Sequence, residues 1–152
     1  MTVQDFARAA GRAMASPWIT AAAFLILLAN PFPAAAGGGI AIELNKADTA
    51  NGRCLGSFVL TNGLGATLDR FELDLFVFGT DGIIKQRSSV NLAPLRGDKT
   101  TVITFPILNT PCEAVGRVLI NDIPQCRSEA GGKLDCLSGL SVSIRARIEL
   151  VK

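Results

Sequence analysis

Between Thr67 and Asn91 the chain reads TLDRFELDLFVFGTDGIIKQRSSVN. Phe71, Leu73, Leu75 and Val77 alternate there with Arg70, Glu72 and Asp74. A period of two marks a β-strand with one dry face and one wet face. Thr80-Asp81-Gly82 follows as a turn, and Asp-Gly offers the positive φ angles that a tight hairpin needs. The strand predicted over Leu68 to Phe78 is therefore joined in a hairpin to a second one over Ile83 to Val90. An apolar sheet face of this kind must be buried against a second layer, which constrains everything else in the chain.

The flanking segments supply that layer. Ile40 to Leu44 alternates and is predicted as the first strand, closed by the turn residues Asp48 to Gly52. Cys54 to Thr61 is the second, ending at Asn62-Gly63-Leu64-Gly65. After the central hairpin, Leu92 to Asp98 reads as a loop and Thr100 to Ile107 as the fifth strand, with Pro106 arguing for an edge or a strand end. Val115 to Asn121 is the sixth. Leu140 to Leu150 is the seventh and the cleanest, with Leu140, Val142, Ile144, Ala146, Ile148 and Leu150 on one face. No helical period is present after residue 36. The pattern predicts an all-β fold, a seven-stranded, immunoglobulin-like antiparallel β-sandwich over residues 37–152.

Residues 1–36 differ in kind. Arg8 and Arg12 precede the apolar run Trp18 to Ala29, Asn30-Pro31-Phe32-Pro33 interrupts it, and Ala34-Ala35-Ala36 follows. A basic start, an apolar centre and an A-x-A site are the three parts of a signal peptide. The expectation is a helical leader cleaved after Ala36 and an exported protein, periplasmic or secreted. A membrane anchor needs about 20 apolar residues, so any membrane contact is expected only through an uncleaved leader.

Cys54, Cys112, Cys126 and Cys136 all lie beyond the leader. Four cysteines in an exported chain read as two disulfides, for which three pairings exist. In an immunoglobulin-like sandwich Cys54 and Cys112 fall at one end, while Cys126 and Cys136 flank the loop Arg127 to Asp135. The expected bridges are Cys54–Cys112 and Cys126–Cys136. By loop-closure entropy they contribute about 4 and about 3 kcal/mol.

Residue types narrow the chemistry. Histidine is absent from the chain, which removes the base of a Ser-His-Asp triad and the usual partner of cysteine in zinc sites. No metal or cofactor is expected. With 15 basic and 13 acidic residues the charge is balanced and shows no nucleic-acid footprint. Asp69, Glu72 and Asp74 are the nearest thing to a carboxylate site, although Glu72 and Asp74 share a wet strand face with Arg70. Arg96-Gly97-Asp98 spells an adhesion tripeptide, and equally a turn into the fifth strand. Arg145 with Arg147, and Lys85 with Arg87, read as charges that protect exposed strands. Phe76 and Phe78 continue the wet register of Arg70, Glu72 and Asp74. A bulge, a covering loop or an exposed apolar patch would account for them.

From Leu60 to Ile107 the chain resembles the FxLYD-type extracytoplasmic domain, in Thr61-Asn62-Gly63, Leu68-Asp69, the hairpin Leu75 to Gly82, and Leu95-Arg96-Gly97 to Phe105. It departs from that pattern at Gly79-Thr80 and in its four cysteines. The whole chain is also similar to small uncharacterised exported proteins of Gram-negative bacteria. These resemblances imply a sandwich and an envelope location, and no catalytic residue.

The expected function is that of a non-enzymatic binding or assembly module for a protein partner in the envelope. Arg96 and Asp98 in one loop and Arg127 and Lys133 in another are its candidate contacts, with a free sheet edge as a further one. The alternatives are a redox protein or other enzyme in which Cys126 and Cys136 cycle, and a purely structural envelope protein.

Overall fold

In the computed structural model, residues 38–152 are described. The leader assigned to residues 1–36 lies outside them. Among the described residues eight strands form: β1 (Ile40–Ala50), β2 (Arg53–Asn62), β3 (Leu68–Gly79), β4 (Ile84–Asn91), β5 (Lys99–Leu108), β6 (Val115–Ser128), β7 (Ser141–Ile144) and β8 (Glu149–Val151). A 3-10 turn, Cys112–Ala114, precedes β6. Two four-stranded sheets pack face to face, one ordered β5-β2-β1-β7 and the other β4-β3-β6-β8. Their inner faces are the alternating residues of the sequence. Ile40, Ile42 and Leu44 with Phe58 and Leu60 meet Phe71, Leu73, Leu75 and Val77 with Val118 and Ile120, each at most 3% exposed.

The central hairpin forms as its alternation requires, with a different turn. Only Gly82 takes a positive φ, of 76°. The Gly82 N–H donates to the Gly79 carbonyl, and the Asp81 carboxylate accepts from the Ile83 N–H. Asp81 therefore acts through its side chain, and the left-handed position falls to Gly82 alone. The two-residue turn with both φ angles positive is Asn51-Gly52, between β1 and β2.

Three strands differ from expectation, two because a bulge resets the period and the third because the chain changes sheets. β1 runs on to Ala50, since Asn45 is left unpaired between Leu44 and Lys46 and the ladder resumes beyond it. β6 runs to Ser128, since irregularities opposite Asp74 absorb Asn121, Ile123 and Pro124. The predicted seventh strand is two strands. β7 lies parallel to β1 in the first sheet, and β8 lies parallel to β6 in the second. Between them the Arg145 and Ala146 N–H groups both donate to the Leu44 carbonyl, beside the β1 bulge. The chain changes sheets there and closes one side of the sandwich. The sheets are thus mixed rather than purely antiparallel.

Candidate functional site

Both loops singled out in the sequence come to one end of the sandwich, and Leu68 joins them. The Leu68 N–H donates to the Leu95 carbonyl at 2.8 Å, and the Leu95 N–H returns the bond at 3.0 Å. On its other side Leu68 is in register with Ser128 of β6. The loop 92–98 is anchored by Leu92 and Leu95, which are buried, and leaves Arg96 and Asp98 exposed. Gly97 presses on the turn below it: a Cβ there would meet the Gly65 carbonyl oxygen at 2.5 Å. In Arg96-Gly97-Asp98, then, the glycine serves close backbone packing.

Asn62 organises this end. It is 1% exposed, its amide donates to the Ala66 and Leu95 carbonyls at 2.9 and 3.0 Å, and its carbonyl oxygen accepts from the Leu64 N–H. A buried amide with those bonds fixes three backbone segments at once. Sequence reasoning read Asn62 only as a turn residue. Its signal was a polar residue at a position that continues the inward register of Phe58 and Leu60.

The loop after β6 is a small hairpin. Gly131, at φ 87°, turns the chain so that Ser128 accepts from Gly131 and donates to Gly132, and the Leu134 N–H donates to the Cys126 carbonyl. The Cys126–Cys136 disulfide staples this hairpin to β6, and the Cys54–Cys112 disulfide staples β2 to the 3-10 turn at the opposite end. Cys126 and Cys136 are 2% and 4% exposed, so an attacking thiol has little approach to either sulfur. Within the hairpin Arg127 and Lys133 are bridge partners. Arg127 is also in register with Arg70 of β3. Cross-strand partners share a face, and all three side chains are exposed. The outcome is a transverse row, Arg70–Arg127–Lys133. Among the described residues, ion pairs form at Lys46–Asp48, Lys85–Asp81, Arg87–Asp74 and Arg145–Glu43, and the row takes part in none. Beside it an open cleft of about 680 Å³ takes in Lys133 together with the carboxylates Asp122 and Asp135 and the apolar Pro124, Leu134 and Leu137.

Further along the same sheet face, Asp74 is 6% exposed. Arg87 donates to both its oxygens at 2.8 and 3.1 Å, and Asn121 adds a third bond at 2.8 Å. The Arg87 bonds, outweighing burial, hold its carboxyl below the usual aspartate range, with Asn121 adding to the effect. Glu72 accepts a hydrogen bond from the Ser89 hydroxyl. Of the carboxylates Asp69, Glu72 and Asp74 on this strand, Glu72 and Asp74 are thus tied to neighbours. Among the described residues no three His, Cys, Asp or Glu side chains gather as metal ligands, and no helix is long and apolar enough to cross a membrane.

Phe76 and Phe78 keep their outward register and are half-buried. Their cover is neither a bulge nor a loop. The Arg87 guanidinium lies 5.3 Å from the Phe76 ring centre, and Arg117 lies 4.7 Å from that of Phe78. Each arginine is the ring's cross-strand partner, so a cation caps each π face.

No family model, no curated protein and no solved structure matches the chain.

Proposed function

We propose that the chain is an exported binding and assembly module of the cell envelope, without catalysis of its own, whose loop end engages an acidic segment of a partner protein. The observation that carries this reading is the Arg70–Arg127–Lys133 row. Like charges directly opposite one another on neighbouring strands destabilise a sheet. Here, among the described residues, they stand without a carboxylate in ion-pair range, held in place by a disulfide-stapled hairpin. Arginine forks and a lysine ammonium in one line suit successive carboxylates. The leader motif and two disulfides support export, since disulfides persist in oxidising compartments.

The sandwich is read as immunoglobulin-like. The neighbours β1-β2-β5 and β4-β3-β6-β8 follow the A-B-E and C′-C-F-G order of that fold, with parallel β7 and β8 as departures. The resemblance to the FxLYD-type domain over Leu60 to Ile107 agrees with this.

The test uses the full chain, produced in an exporting host and purified without reductant. It is titrated at low salt against a fluorescent peptide rich in Asp and Glu. Binding that weakens with added salt and falls about two- to fivefold in each of Arg70→Gln, Arg127→Gln and Lys133→Gln supports the proposal. A flat titration, or affinity indifferent to all three substitutions, overturns it. Anionic vesicles form a second arm, and preference for them over the peptide would assign the row to a lipid surface instead.

A further inference from the structure

Among the described residues each sheet has two free edges, and three of the four are blunted. β7 has four residues and β8 three. β4 carries Lys85 and Arg87. Short length and charge are the usual means by which an edge strand is kept from pairing with another chain. β5 carries such protection only towards its ends, in Lys99 and Pro106. It runs for ten residues, Lys99–Leu108, and from Thr100 onwards carries no charged side chain. Val102, at its middle, is 65% exposed.

The pairing of β5 with β2 shows what this strand accepts as a neighbour. Thr61, Val59 and Ser57 of β2 lie opposite Thr100, Val102 and Thr104. Two hydroxyl pairs, Thr61–Thr100 and Ser57–Thr104, each at 2.9 Å, flank a valine pair. The row on β5 is itself a palindrome of hydroxyl, valine and hydroxyl. An antiparallel copy of β5 centred on Val102 offers the same row that β2 offers. Thr100 would meet Thr104 of the second copy, and Val102 would meet Val102. Charges are compatible as well. Asp98 and Lys99, the charged residues at the end of the stretch, fall opposite Pro106 and Phe105, so no like charges oppose. Asp98 opposite Pro106 also marks a natural end, since proline has no N–H to donate.

The geometry points to a second copy of this chain as the occupant of the β5 edge: two copies join β5 to β5 about a two-fold axis through Val102, merging their four-stranded sheets into one. Such an interface is isologous and closed, and it removes the exposed edge rather than propagating it. It uses the sheet that does not carry the basic row, so it stands or falls independently of the proposed function.

Sedimentation velocity of the full chain, exported and disulfide-intact, reads the outcome. The expected result is a species of twice the chain mass that dissociates on dilution. Val102→Lys and Val102→Glu each place like charges on the axis, and each is expected to run at the chain mass alone. Because Val102 is exposed, both variants should keep the wild-type circular dichroism. Mixing them should restore the doubled mass, since Lys then meets Glu. A wild-type chain that stays at the single mass at high micromolar concentration overturns the inference. So does a dimer that survives both substitutions, or a mixture that fails to re-form it.

Discussion

Asp74 sits on a sheet face that otherwise meets water, yet Arg87 and Asn121 enclose it. Its lowered folded pKa makes its contribution depend on pH in a fixed direction. The folded state holds the proton less tightly than the unfolded chain, whose aspartate titrates near 3.9, on the order of the model-peptide value. The stabilisation is therefore complete above that value and is lost as pH falls through the lower folded one. Urea midpoints measured from neutral pH down to strong acid should decline below about pH 4 in the wild type. Asp74→Asn should lower the midpoint at neutral pH and flatten that acid decline. Parallel curves for the two proteins would place the acid sensitivity elsewhere. Arg87 serves Asp74 and the Phe76 ring together. Sequence alternation placed Phe76 correctly on the wet face but could not say what covered it, because the cap comes from a neighbouring strand.

Elements defined by a strict period of two were legible: β2, β3, β4 and β5 lie within a residue or two of their expected bounds. Where a bulge intervenes the period breaks, so β1 beyond Asn45 and β6 beyond Asn121 read as turns. The segment Leu140 to Leu150 failed differently. Its alternation is real, but alternation cannot say which sheet a strand joins, and the chain changes sheets at Arg145 and Ala146. Ile144 is left 43% exposed near that crossing. Of the site, Arg127 and Lys133 were legible as loop charges. Arg70 was not, since its place in the row depends on the register of β3 with β6. The hairpin that carries Lys133 gives the disulfides distinct expected roles. Replacing both Cys126 and Cys136 by Ser should cost about 3 kcal/mol in urea denaturation. It should also weaken binding to the acidic peptide, because Lys133 is released from Arg127. Replacing Cys54 and Cys112 should cost about 4 kcal/mol and leave the affinity of the folded protein unchanged, since that bridge lies at the other end. Equal affinity losses in the two double variants would detach the hairpin from binding.

Across the whole molecule the two outer faces differ in character. One carries the basic row, the Asp74 network and the arginine-capped rings; around β2 and β5 the other carries hydroxyls and valines. A charged face gives a screened, adjustable contact, whereas an uncharged edge with a repeating row gives a contact of fixed register. The two disulfides are compatible with an oxidising compartment, and both proposals take that compartment to lie outside the cytoplasm. Compartment is thus the premise on which the other proposals rest, and it has a single decisive reading. Protein taken from its own compartment without reductant, with free thiols alkylated, is expected at the mass of residues 37–152 lacking two hydrogens for each of the bridges Cys54–Cys112 and Cys126–Cys136. A native spectrum of the same sample should carry twice that mass. A full-length chain bearing alkylated cysteines would overturn export and bridging together, and with them the physical reason for a stapled hairpin at the binding end.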